Sequence, residues 1–262
     1  MRRALLLAFL LTGCSQEHER IAPQSQIAPG DIQSGYEFLQ PETQALQDDE
    51  FANPGFLWVD KGRALFNQDP DSGAPACASC HGDDSHPFSK AAAHYPAVDA
   101  SSGQLVNLEA RINLCRARYQ DLAPLEYESD GLLGLTAYLA YLAQGEPISV
   151  KTDGPAKKYY DAGEDYFFQR KGQFNLACSQ CHNEHWGDKL RGDTISQGHG
   201  NAFPAYRMEW QTFGSLHRRL RDCDSGIRAE PLESGSETYT AVELYLAKRA
   251  EGLPMESPGV RR

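Results

Sequence analysis

Two pentapeptides carry the most chemistry in this chain, Cys77-Ala78-Ser79-Cys80-His81 and Cys178-Ser179-Gln180-Cys181-His182. Two thiols one helical turn apart reach the two vinyl groups of one porphyrin, and the histidine that follows then lies under the iron. Each pentapeptide therefore predicts one covalently bound haem c. Cys77, Cys80, Cys178 and Cys181 are the attachment points, and His81 and His182 are the proximal ligands. A zinc site fits less well, because zinc takes four ligands held close together and the two pairs stand 101 residues apart.

The sixth ligand is the next question. A methionine would raise the haem potential, but the chain holds only Met1, Met208 and Met255. The candidates are His86, His94 and Cys115 in the first half, and His185, His199, Met208, His217 and Cys223 in the second. An internal repeat favours the cysteines. Asp60, Gly62, Phe66, Cys77 and His81 recur as Asp161, Gly163, Phe167, Cys178 and His182, all 101 positions on. A second register, offset by 108, matches Tyr95-Pro96-Ala97 with Phe203-Pro204-Ala205, Leu108 with Leu216, Arg111 with Arg219, and Cys115 with Cys223. No histidine or methionine among the candidates is matched in this way, so Cys115 and Cys223 are the expected distal ligands. The rival is a Cys115–Cys223 disulfide, which would need the two Cα atoms within about 7 Å.

Arginines crowd both cysteines: Arg111, Arg116 and Arg118 near Cys115, and Arg218, Arg219 and Arg221 near Cys223. Cationic neighbours favour thiolate, and a guanidinium fork suits a sulfonate or phosphate. On a helix Arg219 shares a face with Cys223, one turn earlier. A solvated basic face, or pairing with haem propionates, would give the same composition.

The elements that must hold these groups are helical. Leu132, Leu135, Tyr138, Leu139 and Leu142 recur at three and four, as do Val242, Tyr245 and Leu246, and no stretch sustains strand alternation. "AYLAYLA" from 137 and "AVELYLA" from 241 match at an offset of 104. The expected fold is all-α, two tandem cytochrome c-type domains from one duplication, 51–148 and 149–262, joined through a Gly- and Pro-bearing linker at 145–155. Residues 15–50, with Pro23, Pro29, Gly30 and Pro41, read as a polar tether or loosely packed arm.

Residues 1–14 read as an export leader, with Arg2 and Arg3 before an apolar run too short to span a bilayer. The run ends in Leu11-Thr12-Gly13-Cys14, which resembles a bacterial lipoprotein box, so the chain is expected in the periplasm, with a lipid anchor at Cys14 as one outcome and an ordinary cleaved leader as the other. A formal net charge of −11 argues against nucleic-acid binding.

The two CxxCH motifs, the paired cysteines and "FPAYRMEWQTFGSLHRRLRDC" (203–223) together resemble the SoxA family, the dihaem subunit of the SoxAX cytochrome of bacterial sulfur oxidation. The resemblance spans about 51–250. It implies L-cysteine S-thiosulfotransferase activity, in which thiosulfate is joined oxidatively to a cysteine of a SoxYZ-type carrier protein. It further implies a SoxX-type cytochrome partner, Cys223 as distal ligand and catalytic cysteine held as a persulfide, Arg219 as the thiosulfate-binding residue, and Cys115 as ligand of the first haem. A non-catalytic dihaem electron carrier would share the motifs and the fold without needing the paired arginine and thiol.

Overall fold

The computed structural model describes residues 19–21, 27–82 and 87–262; the leader with Cys14, and His86, lie outside them. The fold is mostly helical, as expected, with helices α1 (Pro41–Asp48), α2 (Phe56–Asn67), α3 (Cys77–His81), α4 (Leu108–Tyr119), α5 (Asp130–Leu142), α6 (Lys157–Phe168), α7 (Leu216–Gly226) and α8 (Glu237–Arg249). Helix starts are written into the sequence. Asn107, Ser129, Ser215 and Ser236 each accept a hydrogen bond from the backbone N–H three residues on, at α4, α5, α7 and α8.

Two helix pairs form the core. α2 lies along α5, and α6 lies along α8. Both crossings are closed by glycine: a Cβ on Gly62 would come 1.9 Å from the Gly134 carbonyl oxygen, and one on Gly163 would come 2.1 Å from that of Ala241. Aromatic side chains fill in around them, Tyr138 and Phe66 in the first pair and Tyr245, Phe167 and Phe168 in the second, each at most 3% exposed.

These contacts correct one register. Gly134 and Ala241, Tyr138 and Tyr245, and the capping residues Ser129 and Ser236 each correspond at an offset of 107 rather than 104. The tripeptide Tyr-Leu-Ala occurs twice within 137–143, three residues apart, so sequence matching alone could settle on the wrong copy.

Short strands add to the helical frame. β1 (Ala97–Val98) pairs antiparallel with β2 (Leu105–Val106) ahead of α4, and β5 (Ala205–Arg207) pairs antiparallel with β6 (Thr212–Gly214) ahead of α7. A further hairpin joins β3 (Lys189–Leu190) to β4 (Asp193–Thr194), and β7 (Gly259–Arg261) runs parallel to β5. Runs of two or three residues are too short to produce an alternating pattern.

The arm expected to be loose is packed over its described part. Gln33 N–H donates to Gln197 Oε1 at 2.8 Å, Gln197 Nε2 donates to the Asp31 carbonyl at 2.8 Å, and Phe38 meets Trp186 edge to face. α1 rests on β7. Polar composition disguised this, because polar groups do much of the anchoring: Asn201 Nδ2 also donates to Ser34 Oγ, and Val260 N–H to Gln47 Oε1. The C-terminal segment ties the halves together: Gly145 N–H donates to the Met255 carbonyl, Ile148 N–H to that of Leu253, and Asn53 Nδ2 to that of Pro258.

Candidate haem sites and the face of α7

In the first half, the Ala76 N–H ahead of α3 donates to Asp69 Oδ1 at 3.0 Å, fixing the start of the Cys77–His81 turn. His81 packs against the rings of Phe66 and Phe88, with centroids 6.4 and 4.8 Å away. Cys115, half-buried on α4, lies within electrostatic reach of Cys77, and burial pushes both thiols up from their ordinary value. Two of the arginines around Cys115 are paired with one carboxylate, while Arg116 donates to the Ala123 carbonyl. Arg111 Nη2 donates to Asp99 Oδ1 at 2.9 Å, Arg118 Nη2 donates to Asp99 Oδ2 at 3.1 Å, and Arg111 Nε reaches Tyr95 Oη at 3.1 Å. These donors, with the hydroxyls of Ser101 and Ser102, hold the Asp99 carboxyl far below the usual carboxylate range.

In the second half, Ala177 N–H donates to Gln180 Oε1, and a π-turn (Gln180–Glu184) carries Cys181 and His182. His182 Nδ1 bonds the Ser196 carbonyl at 2.7 Å, and desolvation lowers its pKa to about 4, so the ring is neutral and keeps Nε2 for a metal. Gly198, at φ +78°, cradles that ring: a Cβ there would sit 2.7 Å from His182 Cγ. Cys223, half-buried on α7, lies within electrostatic reach of both Cys178 and Cys181, and the Arg219 charge is felt at His182. Burial raises Cys178 to about 11. Thiols, neutral imidazole and the glycine cradle fit haem c at this turn. Among the described residues, no cluster of three or more His, Cys, Asp or Glu could hold a metal ion by itself.

The first comparison with known proteins that bears on this arrangement is a family model described as SoxA/TsdA, cytochrome c domain, which matches residues 61–148. The chain is 35% identical to the L-cysteine S-thiosulfotransferase subunit SoxA of Pseudaminobacter salicylatoxidans, over 87% of this chain and 80% of that protein. It is 34% identical to the Paracoccus pantotrophus protein of the same name, over 88% and 79%. The chain belongs to the SoxA family. The SoxA fold is shared as well: a crystal structure of SoxXA from P. pantotrophus superposes with a TM-score of 0.83 at 33% identity, covering 88% of this chain and 87% of that one.

Within this SoxA chain, the other sixth-ligand candidates have separate engagements. His94 Nδ1 bonds the Ser149 carbonyl at 2.8 Å, and His185 Nδ1 faces Asp188 at the surface. His217 Nε2 lies 3.0 Å from Glu243 Oε2. Met208 follows β5, its N–H donating to the Arg261 carbonyl. His199 is buried near His182, its Nε2 3.2 Å from Gln197 Oε1 and its pKa lowered by burial to about 3. Cys115 and Cys223 are free thiols, each beside its own CxxCH turn, so the bridge that would join them is not formed.

Three residues escaped sequence reasoning. Asp224, next to Cys223, is buried and meets Lys171, Tyr166 and Tyr239. Arg249 covers the Phe167 ring at 4.6 Å and donates to the Gln197 carbonyl. Arg207, on β5, is buried within electrostatic reach of both Arg219 and Cys223. Only Arg207 left a signal, since it stands 108 positions after Asp99 in the matched frame. No helix among the described residues is long and apolar enough to cross a membrane.

Proposed function

We propose that this chain is the dihaem subunit of a SoxAX-type L-cysteine S-thiosulfotransferase, exported to the periplasm and paired with a SoxX-type cytochrome c. The observation that carries the reading is the match to relatives of that name over four-fifths of their length. In this reading the chain duplicates one cytochrome c-type unit, 51–148 and 149–262, and carries two haems. Cys77 and Cys80 hold the first and Cys178 and Cys181 the second, with His81 and His182 as proximal ligands and Cys115 and Cys223 as distal ones. The repeated glycine crossings, the hairpin ahead of α4 and of α7, and the constant cysteine frame support it.

The reaction joins the outer sulfur of thiosulfate to a cysteine thiolate of a SoxYZ-type carrier. One S–S bond forms, the carrier becomes Cys–S–S–sulfonate, and two electrons leave. Haem, when bound, supplies one-electron acceptance. The protein's own residues do the rest. Arg219, one turn before Cys223 on α7, binds the sulfonate end and orients the outer sulfur. Cys223, as a persulfide, presents the sulfur against which the outer sulfur of thiosulfate is placed.

The test is thiosulfate-dependent electron release from the assembled complex with a carrier protein, for wild type, Cys223→Ala and Arg219→Ala. Loss in Cys223→Ala and a raised KM in Arg219→Ala are expected. Turnover untouched by both substitutions would leave a plain dihaem electron carrier.

A further inference from the structure

The two halves present their arginines to different partners. β1 and β5 hold the same place ahead of α4 and α7: Ala97 pairs with Val106 where Ala205 pairs with Gly214, and Val98 with Leu105 where Tyr206 pairs with Phe213. One step further, Asp99 N–H donates to the Gln104 carbonyl, and Arg207 faces Thr212. Asp99 and Arg207 are therefore equivalent positions with opposite charge. In the first half Asp99 absorbs the charge of Arg111 and Arg118. In the second, Arg219 stands where Arg111 does, Gly226 stands where Arg118 does, and the carboxylate is replaced by another guanidinium. Among the described residues, no carboxylate lies within ion-pair distance of Arg219.

Arg207 itself is incompletely satisfied. Its side chain is 6% exposed, one arm of the fork reaches the largely exposed Glu209, and its buried Nε has no partner. It is held rigidly. The Trp210 indole lies 5.2 Å from the Arg207 guanidinium and 4.4 Å from that of Arg218 on α7, and Trp210 Nε1 donates to Asp222 on the same helix. The hairpin is thus locked to the helix that carries Cys223. The other charges in reach are Glu209, which Arg207 holds and on which Arg191 also acts, and Arg261, the register partner of Arg207 on β7, which is itself paired with Glu256. Two guanidinium groups that repel one another beside a thiol, one with a buried donor unpaired, form a site for an oxyanion.

We propose that Arg207 and Arg219 together bind the sulfonate group of the substrate, and that the exchange of Asp99 for Arg207 is what makes the second half, and not the first, accept an anion. The identity of that anion rests on the proposed thiosulfate reaction. A propionate of bound haem offers the same oxyanion chemistry, so the experiment must separate the two sources.

The assembled holo-complex is prepared as wild type, Arg207→Gln, Arg207→Lys and Arg207→Asp. Haem content is read by intact mass, sulfite binding by calorimetry, and thiosulfate KM and kcat by turnover. Arg207→Gln should keep two haems and raise both KM and the sulfite dissociation constant roughly ten- to hundredfold, the loss expected for one charged hydrogen-bonding group, with kcat little changed. Arg207→Lys should recover part of the loss, and Arg207→Asp, which rebuilds the first half's pairing against Arg219, should bind sulfite least. Unchanged sulfite binding and KM in Arg207→Gln overturn the proposal. So does loss of the second haem in Gln and Lys variants alike, which would make Arg207 a propionate clamp. If wild type binds sulfite through Arg207 but turns over no thiosulfate, the anion site stands and the proposed reaction falls.

Discussion

Lys171 Nζ lies 3.0 Å from Asp224 Oδ1, and both side chains are more than nine-tenths buried one residue along α7 from Cys223. Tyr239 Oη donates to the other carboxylate oxygen at 2.7 Å, and Tyr166 Oη donates to it as well. One carboxylate thus pins the Cys223 helix to α6, to the strand-like turn after it, and to α8. The position of the thiol is set by the charge on the next residue of its own helix.

Removing one member of that pair strands the other. Asp224→Ala leaves the Lys171 ammonium buried without its counter-ion, and the holoprotein should lose about 3–5 kcal/mol, read by urea denaturation near neutral pH. Asp224→Asn keeps the shape and an acceptor and should lose less. Equal stability of wild type and Asp224→Ala would mean that α7 is held by its other contacts alone.

The glycine crossings give a sharper contrast. An alanine at Gly62 or Gly163 must push its Cβ into a carbonyl oxygen at about 2 Å, so α2 would move off α5, or α6 off α8. Each substitution should cost at least 1–3 kcal/mol, the range for overpacking a filled core. Gly134→Ala should be tolerated. Its nearest neighbour would be Gly62 N at 3.1 Å, and the equivalent residue in the other half is already Ala241. Thermal melts of the three variants check the order, and a Gly134→Ala as damaging as Gly62→Ala would refute it.

The helices and the two CxxCH turns were legible because their signals are local: three-and-four spacing and the pentapeptides themselves. The repeat also carried the Arg–Cys frame, since Arg111 and Arg219 keep the same distance to their cysteines on α4 and α7. The environment of each frame was not legible. That Asp99 closes on Arg111 while Arg207 opposes Arg219 depends on two-residue strands that leave no periodic trace. Asp224 looked like one more charge in a mixed cluster, because its partners come from 166, 171 and 239 and meet only in the fold. The arm misled for a related reason: its composition is polar, but its backbone is bonded to Gln197.

A second buried polar group ties α4 to α7 and predicts a pH dependence. Glu109 on α4 faces a small cavity between the halves with Glu243 of α8, and burial together with the Glu243 charge raises its pKa to about 8. His217 of α7, stacked on Tyr127 with centroids 5.9 Å apart, has its pKa raised by Glu243, Glu109 and Glu128 against the opposing effect of burial. Asn107 Nδ2 donates to Glu243 Oε2, and Tyr127 Oη donates to Asn107 Oδ1, which completes the cluster. Both shifts run the same way. Native Glu109 holds its proton where the unfolded chain has released it, so stability is greatest near the ordinary carboxylate value and falls as pH rises toward 8. His217 adds to that fall, because its raised pKa favours the folded state only while the ring is protonated. The slope contributed by Glu109 should approach ~1.4 kcal/mol per pH unit between pH 5 and 8. Urea denaturation at several pH values should show a flatter profile for Glu109→Gln, which is neutral at every pH and nearly isosteric. A profile as steep as wild type would place the titrating proton elsewhere in the protein.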